Sequence, residues 1–249
     1  ASELLLRVLA NTSNSRDALA LMDSVSNPSP GLRSVHAKIL YGRATELIND
    51  GMLPNANELL DKALKLPDNT ATLPYINFWK GEIAYRTNRL DDAIPYLFAY
   101  LKMPVSQGEV NPDNAKYTLG YCYLKKENYN EARRFFEQVA GNPRINASPL
   151  QQDAYIRNAD CYYMNRDYKM AVGMYNKVLD YSWPAADYAT YQKAMVAGVN
   201  SSNEKISLLT GLIRKYPTSE LVPDANMEIA NTYLSDEDFR QSLTYLKNV

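Results

Sequence analysis

Residues 115–143 read AKYTLGYCYLKKENYNEARRFFEQVAGNP and contain two amphipathic helical patterns separated by a polar turn. In the first pattern, Tyr117, Gly120 and Leu124 follow one another at spacings of three and four, which places them on one face of a helix. The polar run KKEN interrupts this pattern, and a second one begins near Ala132. The closing GNP supplies a glycine C-cap and then a proline. The stretch therefore predicts a helical hairpin.

The hairpin pattern recurs along the chain. The small residues Gly120 and Ala132 are twelve positions apart, and pairs with this spacing return at steps of 35 to 39 residues. The seven pairs are Leu6 and Ala18, Ala44 and Ala56, Gly81 and Ala93, Gly120 and Ala132, Ala159 and Ala171, Met195 and Ser207, and Ala230 and Ser242. This period indicates a repeat architecture. We expect one array over residues 1–249, with units near 1–30, 31–68, 69–106, 107–144, 145–183, 184–217 and 218–249, the last of them truncated.

The small residues have a steric role. Two helices of a hairpin approach closely only where the facing side chains are small, and the large residues around that point then interdigitate. We expect a large residue at Ala132 to splay its hairpin. Met195 and Leu6 take the first small position in two units, and we expect those hairpins to be distorted.

These spacings resemble the tetratricopeptide repeat, which has a small residue, an aromatic three later, a second small residue and a further aromatic. The fit is good in FWKGEIAYRTNRLDDAIPYL (residues 78–97) and in NADCYYMNRDYKMAVGMYNKVL (158–179). LIRKYPTSELVPDANMEIANTYL (212–234) further resembles cell-envelope members of Gram-negative bacteria, including YbgF-like and large Bacteroidetes proteins. The resemblance implies an all-α, right-handed superhelix of about seven hairpins. It also implies a protein-binding scaffold in the periplasm or at the outer membrane.

The composition argues against several other functions. Lysine plus arginine (27) nearly balance aspartate plus glutamate (28), which disfavours a protein that binds nucleic acid by neutralising phosphates. No apolar stretch is long enough to insert into a membrane. The single histidine, His36, has no nucleophile or metal cluster arranged around it, and Cys122 and Cys161 lack metal-ligand spacing. We expect no enzyme, no metal and no cofactor, and two buried free thiols.

The aromatic residues divide into two sets. Those that face the partner helix are expected in the core: Tyr123, Phe136, Tyr162, Tyr175 and Tyr233. A second set lies on the face that lines the concave groove in this family. The candidate groove residues are Phe78, Glu82, Tyr85, Arg86, Tyr117, Tyr121, Lys125, Asp160 and Tyr163. Exposed aromatic patches usually mark contact with another molecule. The alternative is that these rings pack against one another on the crowded concave side.

The candidate groove suggests a class of partner. A mixed aromatic and acidic surface suits an extended peptide or a helix with apolar anchors and a few basic residues, with Glu82 and Asp160 selecting the charge. The alternative is an assembly segment of a larger envelope protein that contacts partners through its ends. We expect the last helix to expose Leu243, Leu246 and Val249, which favours either self-association or a longer natural chain.

Overall fold

The structure, a computed structural model, describes residues 2–9, 12 and 14–249. Over these residues the chain forms fourteen α-helices, and the β-structure they contain is an isolated bridge between Gln107 and Val110. The helices are α1 (Ser2–Leu9), α2 (Ser15–Asp23), α3 (Pro30–Asn49), α4 (Leu53–Leu64), α5 (Leu73–Arg86), α6 (Leu90–Lys102), α7 (Pro112–Lys125), α8 (Tyr129–Ala140), α9 (Pro149–Met164), α10 (Tyr168–Asp180), α11 (Ala186–Ala197), α12 (Ser202–Lys215), α13 (Val222–Ser235) and α14 (Phe239–Leu246). The predicted all-α class is confirmed.

The helices group into two compact units. Unit 1 extends to Lys126 and contains α1 to α7, and unit 2 covers Glu127–Val249 and contains α8 to α14. Within unit 1, α3 packs on α4 and α5 packs on α6. Within unit 2, α9 packs on α10, α11 on α12 and α13 on α14. Residues 115–143 supply the last helix of unit 1 and the first helix of unit 2.

Polar residues and prolines define several helix starts. The Asn111 side chain accepts a hydrogen bond from the Asn114 amide at 2.9 Å, immediately before α7. At the start of α9, Ser148 and Gln151 form a reciprocal capping box. Pro149 follows the cap, at a position where the missing N–H group costs no helical hydrogen bond. These local signals fix where the first helices of the repeats begin.

Five hairpin turns share one left-handed backbone position. The residues with positive φ are Gly51 (75°), Asn88 (58°), Glu127 (57°), Arg166 (61°) and Glu237 (61°). Each lies seven positions after the first small residue of its unit. Glycine adopts this conformation freely, whereas other L-residues pay a steric cost there. The repeated turn geometry therefore holds even where the residue type does not favour it.

The predicted small positions are sites of close approach, as the third unit shows. A Cβ atom added to Gly81 would lie 2.6 Å from Cγ of Leu97 and 3.4 Å from the Ala93 carbonyl oxygen, both on the facing helix α6. Residues four and seven positions after the second small residue form the core. They are Leu60 and Ala63, Leu97 and Tyr100, Phe136 and Val139, and Tyr175 and Val178, each at most 3% exposed. The core prediction is confirmed for Phe136 and Tyr175.

The remaining predicted core tyrosines are less deeply placed. Tyr123, Tyr162 and Tyr233 are only half-buried. In unit 2 the Tyr162 hydroxyl lies 2.7 Å from Nη1 of Arg133, whose guanidinium also stacks over the Tyr162 ring. A tyrosine keeps an apolar ring against the core while its hydroxyl reaches a polar partner, which explains this intermediate burial.

The sixth hairpin, α11 and α12, departs from the predicted register. Ser207 is exposed, so the predicted pairing of Met195 with Ser207 is wrong. The buried residues are Ala194 on α11 and Leu209 and Leu212 on α12, each 0% exposed. This pattern moves the second small position back to residue 205, which is a lysine. The hairpin therefore accommodates a long side chain where the other units place alanine or serine.

Candidate protein-binding site

Three half-buried tyrosines of unit 1 form a continuous ring cluster. The Tyr85 ring of α5 lies 6.4 Å from the Tyr121 ring of α7, between centroids. The Tyr121 ring in turn contacts Tyr117 edge to face at 4.9 Å, one helical turn earlier. We call these three residues the tyrosine face. The predicted aromatic positions of the third and fourth repeats thus lie together.

One cationic side chain contacts the tyrosine face, and a second lies next to Tyr85 in the sequence. The Lys125 ammonium lies over the Tyr85 ring, 4.6 Å from its centroid. The exposed Arg86 follows Tyr85 on α5, with its guanidinium 5.7 Å from the Trp79 ring centroid. A cation over an aromatic face is attracted by the ring quadrupole and still keeps donors for another molecule. Of the two predicted cationic residues, Lys125 contacts a predicted aromatic ring, whereas Arg86 contacts Trp79 and Glu82.

Phe78 does not belong to this exposed surface. Its side chain is 2% exposed and contacts the Trp79 and Tyr100 rings edge to face, both at 5.3 Å. Edge-to-face aromatic packing of this kind is typical of a protein core. The expectation that Phe78 is an exposed anchor is wrong, because the α5–α6 hairpin closes over it.

Glu82 is buried as well. It is 8% exposed, accepts a hydrogen bond from the Thr118 hydroxyl of α7, and lies 3.6 Å from Nε of Arg86. Burial raises the pKa of the Glu82 carboxyl, and the Thr118 hydrogen bond and the Arg86 charge oppose that shift. The carboxyl thus joins the first helices of two neighbouring repeats. Glu82 is therefore not exposed, as a residue that selects the charge of a partner would have to be.

Asp160 has the equivalent position in unit 2 and is used in the same way. Its carboxylate accepts hydrogen bonds from Arg157 at 2.6 Å, from Tyr175 of α10 at 2.7 Å and from Tyr188 of α11 at 3.0 Å. Burial raises the pKa of Asp160, whereas Arg157 and the two hydroxyls lower it. Tyr163, the last predicted groove residue, is half-buried and contacts the Tyr168 ring at 5.8 Å.

Burial shifts the pKa values of the two cysteines and the histidine that were considered for catalysis. Cys122 and Cys161 are buried and free, as expected. Burial raises the pKa of each thiol to about 12, so both remain protonated near neutral pH. Burial also lowers the pKa of His36, against the opposing charge of Asp23. Across residues 2–9, 12 and 14–249 no group of three or more potential ligands could hold a metal ion.

A further aromatic pair of unit 1 was not among the predicted site residues. Tyr41 of α3 and Tyr75 of α5 have ring centroids 5.4 Å apart, and burial raises the pKa of Tyr41 to about 12. Tyr41 lies three positions before Ala44, which is the offset that was applied to the later units. Extending that offset to the second unit would have identified Tyr41.

The sequence itself matches known repeats. Two protein-family models, both described as tetratricopeptide repeat, match residues 41–104 and 113–142. These two segments of the chain carry tetratricopeptide repeats. Proteins built from such repeats generally mediate contacts between proteins through the extended surfaces that stacked hairpins create. As a class they are scaffolds rather than catalysts.

The chain is also similar to one curated envelope protein. It is 26% identical over 160 residues to the outer membrane protein assembly factor BamD of Caulobacter vibrioides, which covers 59% of this chain and 52% of that relative. The chain therefore spans about half the length of the curated relative that it matches. The described helices include none that is both long and apolar enough to cross a bilayer.

Solved structures show the same fold. The C-terminal part of a tetratricopeptide-repeat protein from Cytophaga hutchinsonii superposes with a TM-score of 0.65 at 16% identity, covering 99% of this chain and 93% of that one. A tetratricopeptide-repeat protein from Parabacteroides merdae gives a TM-score of 0.64 at 17% identity, covering 86% of this chain and 78% of that one. At these identities the likeness concerns the fold alone.

Proposed function

We propose that this chain is a non-enzymatic scaffold that binds a segment of another protein on the tyrosine face of unit 1. The observation that carries the proposal is the contiguous cluster of Tyr85, Tyr117 and Tyr121 on the first helices of two neighbouring repeats. Tyrosine combines a large apolar ring with a polar tip and loses little conformational entropy on binding. Such residues are enriched among those that dominate binding energy at protein interfaces.

The charges beside the tyrosine face favour a particular partner. Glu82 and Asp160 are engaged inside their units, whereas Lys125 is exposed, and Arg86 is exposed although it also pairs with Glu82. We therefore propose that the bound segment carries apolar anchors flanked by acidic residues, instead of the basic ones that the sequence suggested. Charge complementarity of this kind acts mainly on specificity and on the association rate.

The test is a double substitution, Tyr85→Ala with Tyr121→Ala. We expect loss of partner capture from native cell extracts, with the melting temperature within a few degrees of wild type. Tyr245→Ala is the matched control, because Tyr245 stacks on Tyr233 at 5.8 Å in unit 2 and lies outside the proposed site. If the double variant unfolds, or if it still captures the partner, the tyrosine face is not the binding surface.

We also propose that the chain functions in the cell envelope. The similarity to an outer membrane protein assembly factor supports this compartment. Fractionation of native cells, followed with an antibody against the chain, tests it directly. Recovery with the cytoplasmic marker and not with the envelope would contradict the proposal.

A second candidate function is self-association through α14. Leu243, Leu246 and Val249 are 56%, 44% and 55% exposed. Relative to the small residue Ser242, Leu246 takes the position of the fully buried Leu97 in α6. Sedimentation velocity should show dimers that Leu243→Glu with Leu246→Glu removes and that Met103→Glu, at another exposed apolar site, does not. A monomer at all concentrations would exclude this candidate.

A further inference from the structure

A second surface, in unit 2, is an open groove beside the distorted sixth hairpin. It has a volume of about 510 Å³. Leu179 of α10, Leu208 of α12 and Tyr216 at the end of α12 contribute its apolar lining. Leu179 packs against the core cluster around α9 and α10, whereas Leu208 and Tyr216 pack against the cluster around α12 and α13. The groove therefore lies between two cores of the same unit.

The groove is open because residue 211, on its α12 side, is a glycine. Because Leu209 and Leu212 take the buried positions, the face that carries Ser207 and Gly211 turns outward and lines the groove. A Cβ atom added to Gly211 would meet no other atom within 4 Å. By contrast, the core glycine Gly81 touches the facing helix. Gly211 therefore leaves space on the outward face of α12 that a side chain at this position would occupy.

Two exposed cations border this space. Arg214 and Lys215 line the groove in the last turn of α12. Across the part of the chain that the structure describes, neither forms an ion pair, and the Lys215 ammonium lies 5.1 Å from the Tyr216 ring centroid. Both cations lie at the C-terminal end of α12, where the helix dipole stabilises positive charge. Their side chains keep N–H donors that another molecule can use.

We propose that this groove binds a short segment of another protein that places one or two apolar side chains in the groove and carboxylates against Arg214 and Lys215. Charge complementarity carries the choice of occupant: an apolar lining with two cations and no facing carboxylate fits an acidic segment with apolar anchors. The site is separate from the tyrosine face in residues and in unit, so neither proposal depends on the other.

A membrane surface fits the groove less well. Recognition of anionic lipid by basic residues takes clusters of about four to eight lysines and arginines. This groove presents two, and the chain as a whole has a net charge of -1. The lining is also recessed between helices, which suits individual side chains better than a flat layer of headgroups.

The test uses a plug in the groove that should not disturb the fold. Gly211→Met places a flexible apolar side chain in open space on an exposed helical face. A phage-displayed library of random peptides, about twelve residues long, is selected on the full wild-type chain and counter-selected on the Gly211→Met variant. We expect a consensus with apolar and acidic positions. An enriched consensus that is basic or uncharged, or no enrichment over the variant, would overturn the proposal.

The synthetic consensus peptide then gives the quantitative test by fluorescence anisotropy. We expect Gly211→Met to weaken binding about tenfold or more, and Arg214→Glu with Lys215→Glu to do the same, and neither variant should have a lower melting temperature than wild type. Tyr85→Ala with Tyr121→Ala should leave this affinity unchanged. Binding that the plug does not affect would contradict the inference, as would a preference for phosphatidylglycerol vesicles that the plug abolishes while peptide binding is unaffected.

Discussion

The sequence predicts the same packing for the third hairpin, α5 with α6, and the sixth, α11 with α12, but the two hairpins pack differently. In the third, Gly81 lies against Leu97, and Asn88 with a φ of 58° makes the turn. In the sixth, the turn is one residue longer and Gly198 has a φ of -61°. The closest approach moves to the turn, where a Cβ atom on Gly198 would lie 2.7 Å from Cδ of Lys205.

The difference shows what the small residues do. Where a small residue lies in mid-helix, as Gly81 does, two helices pack closely and the side chains after it are fixed in the core. Where Lys205 takes the place that Ala93 has in the third hairpin, its ammonium leaves the hairpin and pairs with Glu228 of α13 at 2.6 Å. The hairpin then packs in a register that differs from the predicted one, with Leu209 and Leu212 in the core.

The largest expected effect comes from blocking the close approach in the third hairpin. Gly81→Val would place a branched side chain against Leu97, and the facing helix would have to move. We expect the free energy of unfolding to fall by about 3 kcal/mol, as for strong overpacking of a core. Urea unfolding followed by circular dichroism measures it. A change below about 0.5 kcal/mol would mean that the small residue is not required for packing.

A smaller effect should appear in the pH dependence of unit 1. Since burial raises the pKa of Glu82 in the folded chain, the unfolded chain releases this proton first as pH increases. The free energy of unfolding therefore falls through the window between the ordinary and the raised pKa. Glu82→Gln removes this dependence while its side-chain oxygen still accepts from Thr118.

The measurement for Glu82 is a difference between two chains. We expect the stability of Glu82→Gln relative to wild type to increase as the pH rises from the ordinary pKa of a glutamate to the raised pKa of Glu82, because only the wild type must ionise a buried group. Urea titrations at several pH values give this difference, from which all other titrating groups cancel. A difference that does not change with pH would show that Glu82 ionises as readily in the folded chain as in the unfolded one.

In the sixth hairpin, filling open space should stabilise the chain slightly. Gly211→Ala removes a helix-interior glycine from α12 without any contact to disturb. We expect a gain of about 0.5–1 kcal/mol from helix propensity and reduced backbone entropy in the unfolded chain. The gain would appear as a higher midpoint in urea unfolding. A loss would mean that the groove is more tightly closed in solution than in the structure.

The smallest effect is expected at the turn of the sixth hairpin. Gly198→Ala meets the far end of the Lys205 side chain, which can rotate away, and the backbone of Gly198 suits any residue. We expect a change within about 0.5 kcal/mol. The contrast with Gly81→Val at a similar Cβ distance separates contact with a packed core residue from contact with a flexible one. Equal losses at both sites would remove the distinction between the two hairpins.

The sequence was sufficient for the helices and for most of the hairpin geometry. Spacing alone predicted the close approach at Gly81, the buried Phe136 and Tyr175, and the exposed Leu243 and Leu246, but it failed for the pair Met195 and Ser207. The left-handed turn residues Glu127, Arg166 and Glu237 could not be predicted, because their side chains do not favour that conformation. Their backbone is set by the two helices that they join.

The candidate site was harder to predict because burial depends on the neighbouring repeat. Offset from the small residue correctly grouped Tyr85, Tyr117 and Tyr121. It did not show that Thr118 would cover Glu82, or that Tyr188 would reach Asp160 from the next hairpin. Contacts between repeats depend on the packing angle of whole hairpins, which a single unit does not encode.

The most direct test of protein binding at the tyrosine face is site-specific photo-crosslinking in native cells. A photoreactive amino acid replaces Lys125, which is exposed and lies over the Tyr85 ring, and the matched control replaces the exposed Lys169 of unit 2. We predict one discrete crosslinked partner protein at position 125 that is absent at position 169 and is lost when Tyr85→Ala and Tyr121→Ala are added. No crosslinked product, or the same product at both positions, would contradict binding at the tyrosine face.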